Sequence, residues 1–329
     1  MTVCLENIAD RLASSDDAHT GRVDVLTDAL TSMRTGRPAA VRTEAHAPWG
    51  LRFGPVAGAG FHIVLQGSCV VIEPGADPIA LGPGDLVFLR TGRGHVLADQ
   101  PGSPVVDFEA EATDDSSVIG RVELPGTGAR CVLLCGAYKL DVERPHPLLR
   151  DLPELLHLPA RPGEHGALRA AVDLLGAEVE HPGPGRDGIV PSLIDALLMY
   201  LLRAWFAGQQ AAHARGWAAA LCDPPIDAAL RGIHDDPARP WSVASLGQHV
   251  GMSRAAFARR FTDLVGEPPL TYLTRWRMTT AARLLRESGL PVDAVARQAG
   301  YLSEFSFARA FKREFGIAPG GYRRAERRP

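Results

Sequence analysis

The sequence predicts an α+β fold in three parts: a β-rich front half that closes as a barrel or sandwich, a helical connector, and an all-α C-terminal domain with two helix-turn-helix units. Three observations carry this. Between residue 36 and about residue 140, short β-branched and aromatic runs alternate with Gly/Pro turn signals. Past about Pro145 the apolar residues fall at helical spacing instead. Near the end, a skeleton that begins "GMSRAAFARRFTDLVG" at Gly251 returns as "GYLSEFSFARAFKREFG" at Gly300. The 329 residues, 46 % hydrophobic and 22 % charged, suffice for two ordinary globular domains and exclude a disordered or fibrous chain.

In order, "RVDVLTDALTSMR" sets Val23, Leu26, Leu30 and Met33 on one helical stripe. "FHIVLQG", "SCVVIE", "DLVFLR" and "HVLAD" read as strands divided by "EPGADP", "LGPGD" and "TGRG", a spacing that suits a sandwich or barrel. "HPLLRDLPELLHL" and "HGALRAAVDLLGAEVE" read as helices split by "PARPGE". "IVPSLIDALLMYLLRAWFAGQQ" is apolar nearly all round and must be buried, within the monomer or against a second subunit. Leu197, Leu201 and Trp205 are its candidate pairing residues for a homodimer, and the helix reads as too short and too charged at its end to cross a membrane. The three parts are bounded as 1–147, 148–238 and 239–329.

The start "MTVCLENIADRL" has acidic residues where a secretory signal needs a basic end and an apolar core, so the cytoplasm is expected. Five scattered cysteines argue against a disulfide framework. The net charge of −3 conceals an asymmetry: from Trp241 onward 15 Lys and Arg face 7 Asp and Glu, while the rest holds 20 against 31. A basic tail on an acidic body points to a polyanion partner for the tail alone.

Within the repeat, Val243, Leu246 and Val250 match Val292, Val295 and Ala299, each set closed by a glycine suited to ending a helix, Gly251 or Gly300. Ser253 and Ser303 then stand as N-caps of second helices, whose Phe257/Phe261 and Phe307/Phe311 share buried faces at i and i+4. This is a helix-turn-helix made twice. The stretch "PLTYLTRWRMTTAARLLRESG" reads as a long helix able to pack on both units, and the fixed spacing suits successive major grooves of duplex DNA. Opposite the phenylalanines lie Arg254, Ala255, Ala258 and Arg259 in the first copy, and Glu304, Phe305, Ala308 and Arg309 in the second. Arg259 and Arg309 share a register and are the best candidates to grip a guanine edge with two hydrogen bonds. Arg260, Lys312 and Arg313 are candidate phosphate contacts. A helix cannot enter the narrow major groove of A-form RNA, so duplex DNA is the expected partner.

From about Pro240 to Arg324 the chain strongly resembles the DNA-binding domain of AraC/XylS-type bacterial transcription regulators, most diagnostically from Ala299 to Tyr322. That resemblance implies seven helices and base-edge contacts from Ala255, Ala258, Arg259, Glu304, Phe305, Ala308 and Arg309; as activator or repressor, the chain is expected to work beside RNA polymerase. Alanines at two of the first unit's contact positions imply that it reads fewer bases than the second.

The front half resembles the cupin domain that precedes this tail in one branch of the family, so the predicted barrel is cupin-like. "GDLVFLRTGRGH" supplies Gly84, Gly92 and His95 of the second cupin motif, with Arg90 where the pattern has proline. The first motif keeps Gly67 but lacks its histidine pair and glutamate. His62, Cys69, His95 and Cys135 are the candidate ligands of zinc or another transition metal. The same residues also read as a thiol sensor of oxidants or electrophiles, or as core histidines and small hydrophobic thiols. Cys131 and Cys135, four apart on one strand, are expected to face the same side, and His146 to make a polar contact at the barrel's exit. The function expected is a one-component regulator: the barrel senses a small-molecule, metal or redox signal and controls DNA binding by the tail. The alternative is a cupin metalloenzyme with a DNA-binding appendage. Its chemistry needs three or four metal ligands, and the eroded first motif lacks the histidine pair and the glutamate that would supply most of them.

Overall fold

The computed structural model describes residues 24–36, 38–56, 58–108, 119–140, 146–181, 183–210 and 216–326. Two compact units divide the chain: Arg34–Ala211, and a second unit in which the residues up to Met33 join Ala212–Pro329.

In the first unit, β1 (Ala39–His46), β3 (Ala59–Gln66), β6 (Leu86–Leu89), β9 (Ile119–Leu124), β10 (Arg130–Tyr138) and β11 (Leu155–Leu158) form a six-stranded sheet in the order β11-β6-β3-β10-β1-β9. A second sheet has the order β5-β4-β7-β2-β8, from β2 (Gly50–Phe53), β4 (Cys69–Ile72), β5 (Ile79–Leu81), β7 (His95–Ala98) and β8 (Val106–Asp107). The pairs β1–β9 and β2–β8 are parallel and the others antiparallel. The sheets face one another rather than closing into one continuous hydrogen-bonded barrel. Leu51, Val71, Leu81 and Leu97 of one meet Val64, Val87, Leu89 and Leu133 of the other in a single core. Burial of these alternating side chains drives the closure.

The other face of the large sheet is buried too, which is why β3 is covered at six consecutive positions. Phe61 and Phe88 pack there around Tyr138, whose hydroxyl donates to the Ile194 carbonyl at 2.8 Å. Ile194 lies on the long helix α4 (Arg186–Gln210), which pairs with α3 (Gly166–Glu180). The α4 segment is long and apolar enough by composition to cross a bilayer, so its length does not exclude a span as the sequence suggested. Its packing defines it instead: Val190, Ile194, Leu197, Leu198, Leu201 and Leu202 are buried within the single chain, and Asp195 pairs with Arg34 at 2.5 Å. The proposed pairing residues Leu197, Leu201 and Trp205 are therefore core residues, 0, 1 and 8 % exposed, and not a surface offered to a second subunit.

"HPLLRDLPELLHL" is not helical throughout. A one-turn helix, α2 (Pro147–Arg150), gives way to β11, which pairs with the edge of β6. Three leucines and a histidine carry no decisive period, and an open strand edge with unpaired backbone groups settles the outcome. His146 makes the expected local polar contact, its Nδ1 accepting from the Leu148 amide at 3.3 Å.

The second unit contains α1 (Val25–Met33), α5 (Trp217–Cys222), α6 (Pro224–Asp235), α7 (Val243–His249), α8 (Arg254–Val265), α9 (Pro269–Glu287), α10 (Val292–Gln298), α11 (Glu304–Phe315) and α12 (Pro319–Glu326). The helices once expected as a separate connector are thus shared between the units: α3 and α4 in one, α5 and α6 in the other. The first described helix joins the last domain. Val25, Leu26, Ala29, Leu30 and Met33 are buried as α1 packs on α6 and α9. Val23, assigned to that stripe, lies outside the described residues.

Candidate nucleic-acid interface and sandwich site

The two helix-turn-helix units are built by the same local chemistry. Ser242 and Ser245 cap each other's backbone at the start of α7. The Met252 amide donates to the Gly247 carbonyl at 2.8 Å, and the Tyr301 amide to the Ala296 carbonyl at 2.9 Å. Between them Gly251 and Gly300 take left-handed backbones, φ 70° and 76°, that a side chain would strain. Ser253 and Ser303 then cap α8 and α11 by accepting from Ala256 and Ser306.

Phe257, Phe261, Phe307 and Phe311 are fully buried, with ring centroids 5.5 Å apart in each pair. Tyr272 closes the first pair at 5.8 Å from Phe261, and Tyr322 the second at 5.3 Å from Phe311. Helix α9 packs on both units as expected: Tyr272 on the first, Met278, Ala281, Ala282 and Leu285 on the second.

This burial fixes what faces outward. Arg254, Ala255 and Arg259 are exposed on α8, and Glu304, Phe305, Arg309, Lys312 and Arg313 on α11, while Ala258 and Ala308 are half-buried. Arg260 departs from its expected role. Its guanidinium is bonded to the Asp223 carboxylate, which also caps α6 by accepting from the Ile226 amide at 3.2 Å. Asp223 is buried, so this ion pair fastens α8 to α6 and engages the Arg260 guanidinium within the chain. One outward residue was not singled out from the sequence. The second turn is one residue longer than the first, and Leu302, in that longer turn, is fully exposed beside Phe305. The unequal 49- and 50-residue offsets across the two turns were the signal for it.

In the sandwich, His62 of β3 and His95 of β7 reach across from opposite sheets until their Nε2 atoms are 2.6 Å apart, with Phe53 stacked on His95. His95 Nδ1 lies 3.0 Å from the Arg93 carbonyl, which can only accept, so that nitrogen carries the proton. His95 Nε2 is then an acceptor, His62 Nε2–H donates to it, and His62 Nδ1 is left buried without a partner. Burial holds the His62 pKa well below the ordinary range, with repulsion from His95 adding to it, and burial likewise lowers His95.

This is a neutral hydrogen-bonded pair, not half of a metal site. Two imidazoles on one tetrahedral zinc would stand about 3.3 Å apart at zinc–nitrogen distances near 2.05 Å. The cysteines do not complete the expected set either: the neighbouring Cys131 and burial raise the Cys69 thiol, and burial pushes the Cys135 thiol up to about 12. Among the described residues no three His, Cys, Asp or Glu side chains converge as ligands. The four residues His62, Cys69, His95 and Cys135 therefore do not fit a metal. The cupin glycines keep their structural work: Gly92 sits at φ 58°, where a Cβ would meet the Val56 carbonyl at 2.5 Å. Arg90, in place of proline, bonds to Glu154 at the foot of β11.

A two-sheet domain followed by paired helix-turn-helix units with outward cations defines a DNA-binding transcriptional regulator. Residues 24–207 match the cupin family profile and residues 246–325 a helix-turn-helix domain profile. An AraC-like transcription regulator of Streptomyces antibioticus is 33 % identical over 92 % of this chain and 99 % of its own length. One from Streptomyces lividans is 34 % identical over 92 % and 98 %. The HTH-type transcriptional regulator AlkR of Acinetobacter baylyi is 32 % identical over 80 % and 86 %. The chain belongs to the AraC family of DNA-binding transcriptional regulators, with a cupin-type N-terminal domain.

Proposed function

We propose that the sandwich senses a chemical signal and that this signal controls binding of α8 and α11 to specific promoter DNA. The observation that carries the DNA half is the matched exposure of Arg259 and Arg309, each opposite a fully buried phenylalanine pair. Arg254, Lys312 and Arg313 flank them as cations for the phosphate backbone. The signal acts by preferring one arrangement of the chain, since a ligand with equal affinity for two states shifts neither. Work as a homodimer in the cytoplasm, beside RNA polymerase, completes the reading, which favours regulation over catalysis because the relatives similar to this chain are named as transcription regulators.

In vitro selection from a random duplex pool with the full chain tests it. Enrichment of a motif with two conserved segments roughly one helical turn apart is expected. Recovery of no motif, or equal retention of RNA duplexes, would overturn the proposal.

A further inference from the structure

A second pair of side chains bridges the two sheets besides the histidines. Cys69 opens β4 of the small sheet and Cys131 lies second on β10 of the large one. Both are 2 % exposed, and they belong to the same core. The contact is set by backbone: Gly67, two residues before Cys69, comes so close that a Cβ there would stand 3.0 Å from the Cys131 Cα and 2.4 Å from the Arg130 carbonyl. The pair lies just inside one end of the sandwich. Exposed Gln66 and Ser68 lead into Cys69, and exposed residues 125–130 lead into Cys131. Opening of two surface turns would admit a small reagent without unfolding the core.

We infer that Cys69 and Cys131 are a redox-active dithiol that a two-electron oxidant such as a peroxide closes into a disulfide between the sheets. As the signal site of this regulator, the inference rests on the DNA-binding reading above; its chemistry does not. The direction of reaction follows from the contact. The neighbouring Cys69 lowers the Cys131 thiol while Cys131 and burial raise that of Cys69, so Cys131 is the sulfur that ionises and attacks. Its thiolate takes one peroxide oxygen, the O–O bond breaks, and hydroxide leaves to become water, giving a sulfenic acid. The Cys69 sulfur then attacks the sulfenic sulfur, the S–O bond breaks, and the departing hydroxyl takes the Cys69 proton as water. Two thiols lose two electrons and the peroxide becomes two waters. Cys135 is excluded as the reacting thiol, because burial pushes it up to about 12.

The full chain, reduced and then treated with stoichiometric hydrogen peroxide, is alkylated and mapped by mass spectrometry without reduction. The expected result is loss of two thiols per chain and one cross-linked peptide joining Cys69 to Cys131, reversed by dithiothreitol and absent in Cys69→Ser and Cys131→Ser. Cys69→Ala and Cys131→Ala serve if the serine variants misfold, which circular dichroism decides. Affinity for a duplex selected by the reduced protein is expected to change about fivefold or more on oxidation in the parent and not in the variants. Two unmodified thiols, or cross-links to other cysteines instead, would overturn the dithiol. A correct cross-link with unchanged DNA affinity would overturn its role as signal. If selection yields no duplex, the cross-link map still decides the chemistry, so the two readings fail separately.

Discussion

The Asp28 carboxylate, on the first described helix, accepts a hydrogen bond from His234 Nδ1 at 3.0 Å across 206 residues of sequence. That bond fixes the imidazole tautomer, so His234 Nε2 accepts from the Tyr272 hydroxyl at 2.6 Å while the ring stacks on Trp276. Arg283 stands 3.7 Å from the same carboxylate. Helix α1 is thereby keyed into the DNA-binding unit by a buried polar network, in which an unmet partner is costly.

Asp28→Ala is expected to destabilise that unit by about 1–3 kcal/mol, the usual cost of orphaning a buried hydrogen-bonding group. Chemical denaturation followed by tryptophan fluorescence measures it. A loss below about 0.5 kcal/mol would show that α1 does not depend on this bond. The pH dependence has a definite sign. Burial lowers the His234 pKa in the folded chain, against the raising effect of Asp28. The unfolded chain therefore binds more protons once pH falls below about 6.5, and stability is lost from there down to the folded pKa. Without Asp28 the folded pKa drops further and the loss extends to lower pH.

The sandwich is expected to weaken with acid for the same reason. His62 and His95 are both neutral and both depressed by burial, so their contribution is complete above about pH 6.5 and declines below it. His62→Leu removes one proton site and the pair's mutual repulsion. Its melting temperature should change less between pH 7 and pH 5 than that of the parent. An equal or steeper dependence would mean that other groups govern acid sensitivity there.

How much of this was legible in the sequence varied with the range of the interactions. The duplicated unit was readable almost to the residue, because caps, glycine turns and i,i+4 phenylalanines are local and each has its own chemistry. Ser253, Gly251, Phe257 and their counterparts stand where that chemistry puts them. The strands from Phe61 to Ala98 were legible for the same reason, while β11 was not, since only the unpaired edge of β6 decides it. Arg260 looked like its neighbour Arg259 in sequence; Asp223, 37 residues earlier, distinguishes them. Neither the meeting of Cys69 with Cys131 nor that of Asp28 with His234 has a local pattern. Both are products of how distant elements pack.

Arg260 and Lys312 can be told apart by salt. Lys312→Ala removes an exposed cation from α11, so affinity should fall for all duplexes alike, and the slope of log K against log salt should shallow by about 0.9. Arg260→Ala breaks the tie to Asp223. It should cost about 0.5–1 kcal/mol of stability, discounted because the arginine is half exposed, and leave the salt slope unchanged. Titrations at several salt concentrations, with denaturation curves for both variants, supply the comparison. A shallower slope for Arg260→Ala would return that residue to the phosphate contacts.

The two units are expected to read DNA unequally. On α11, Arg309 and Phe305 both project from the helix, and Phe305 is 75 % exposed, a large apolar surface that a protein leaves in water at a cost unless something covers it. In a major groove an aromatic edge can meet a thymine methyl, and an arginine a guanine. Arg309→Ala should therefore relax preference at one base pair by about 1–3 kcal/mol, and Phe305→Ala should weaken discrimination for thymine at another by about 1 kcal/mol. On α8 the residue matching Phe305 is Ala255, too short for the same contact, so Ala255→Gly should alter no base preference. Repeating the duplex selection with each variant reads all three outcomes position by position. An Arg309→Ala motif indistinguishable from the parent's would remove that arginine from the base-reading set.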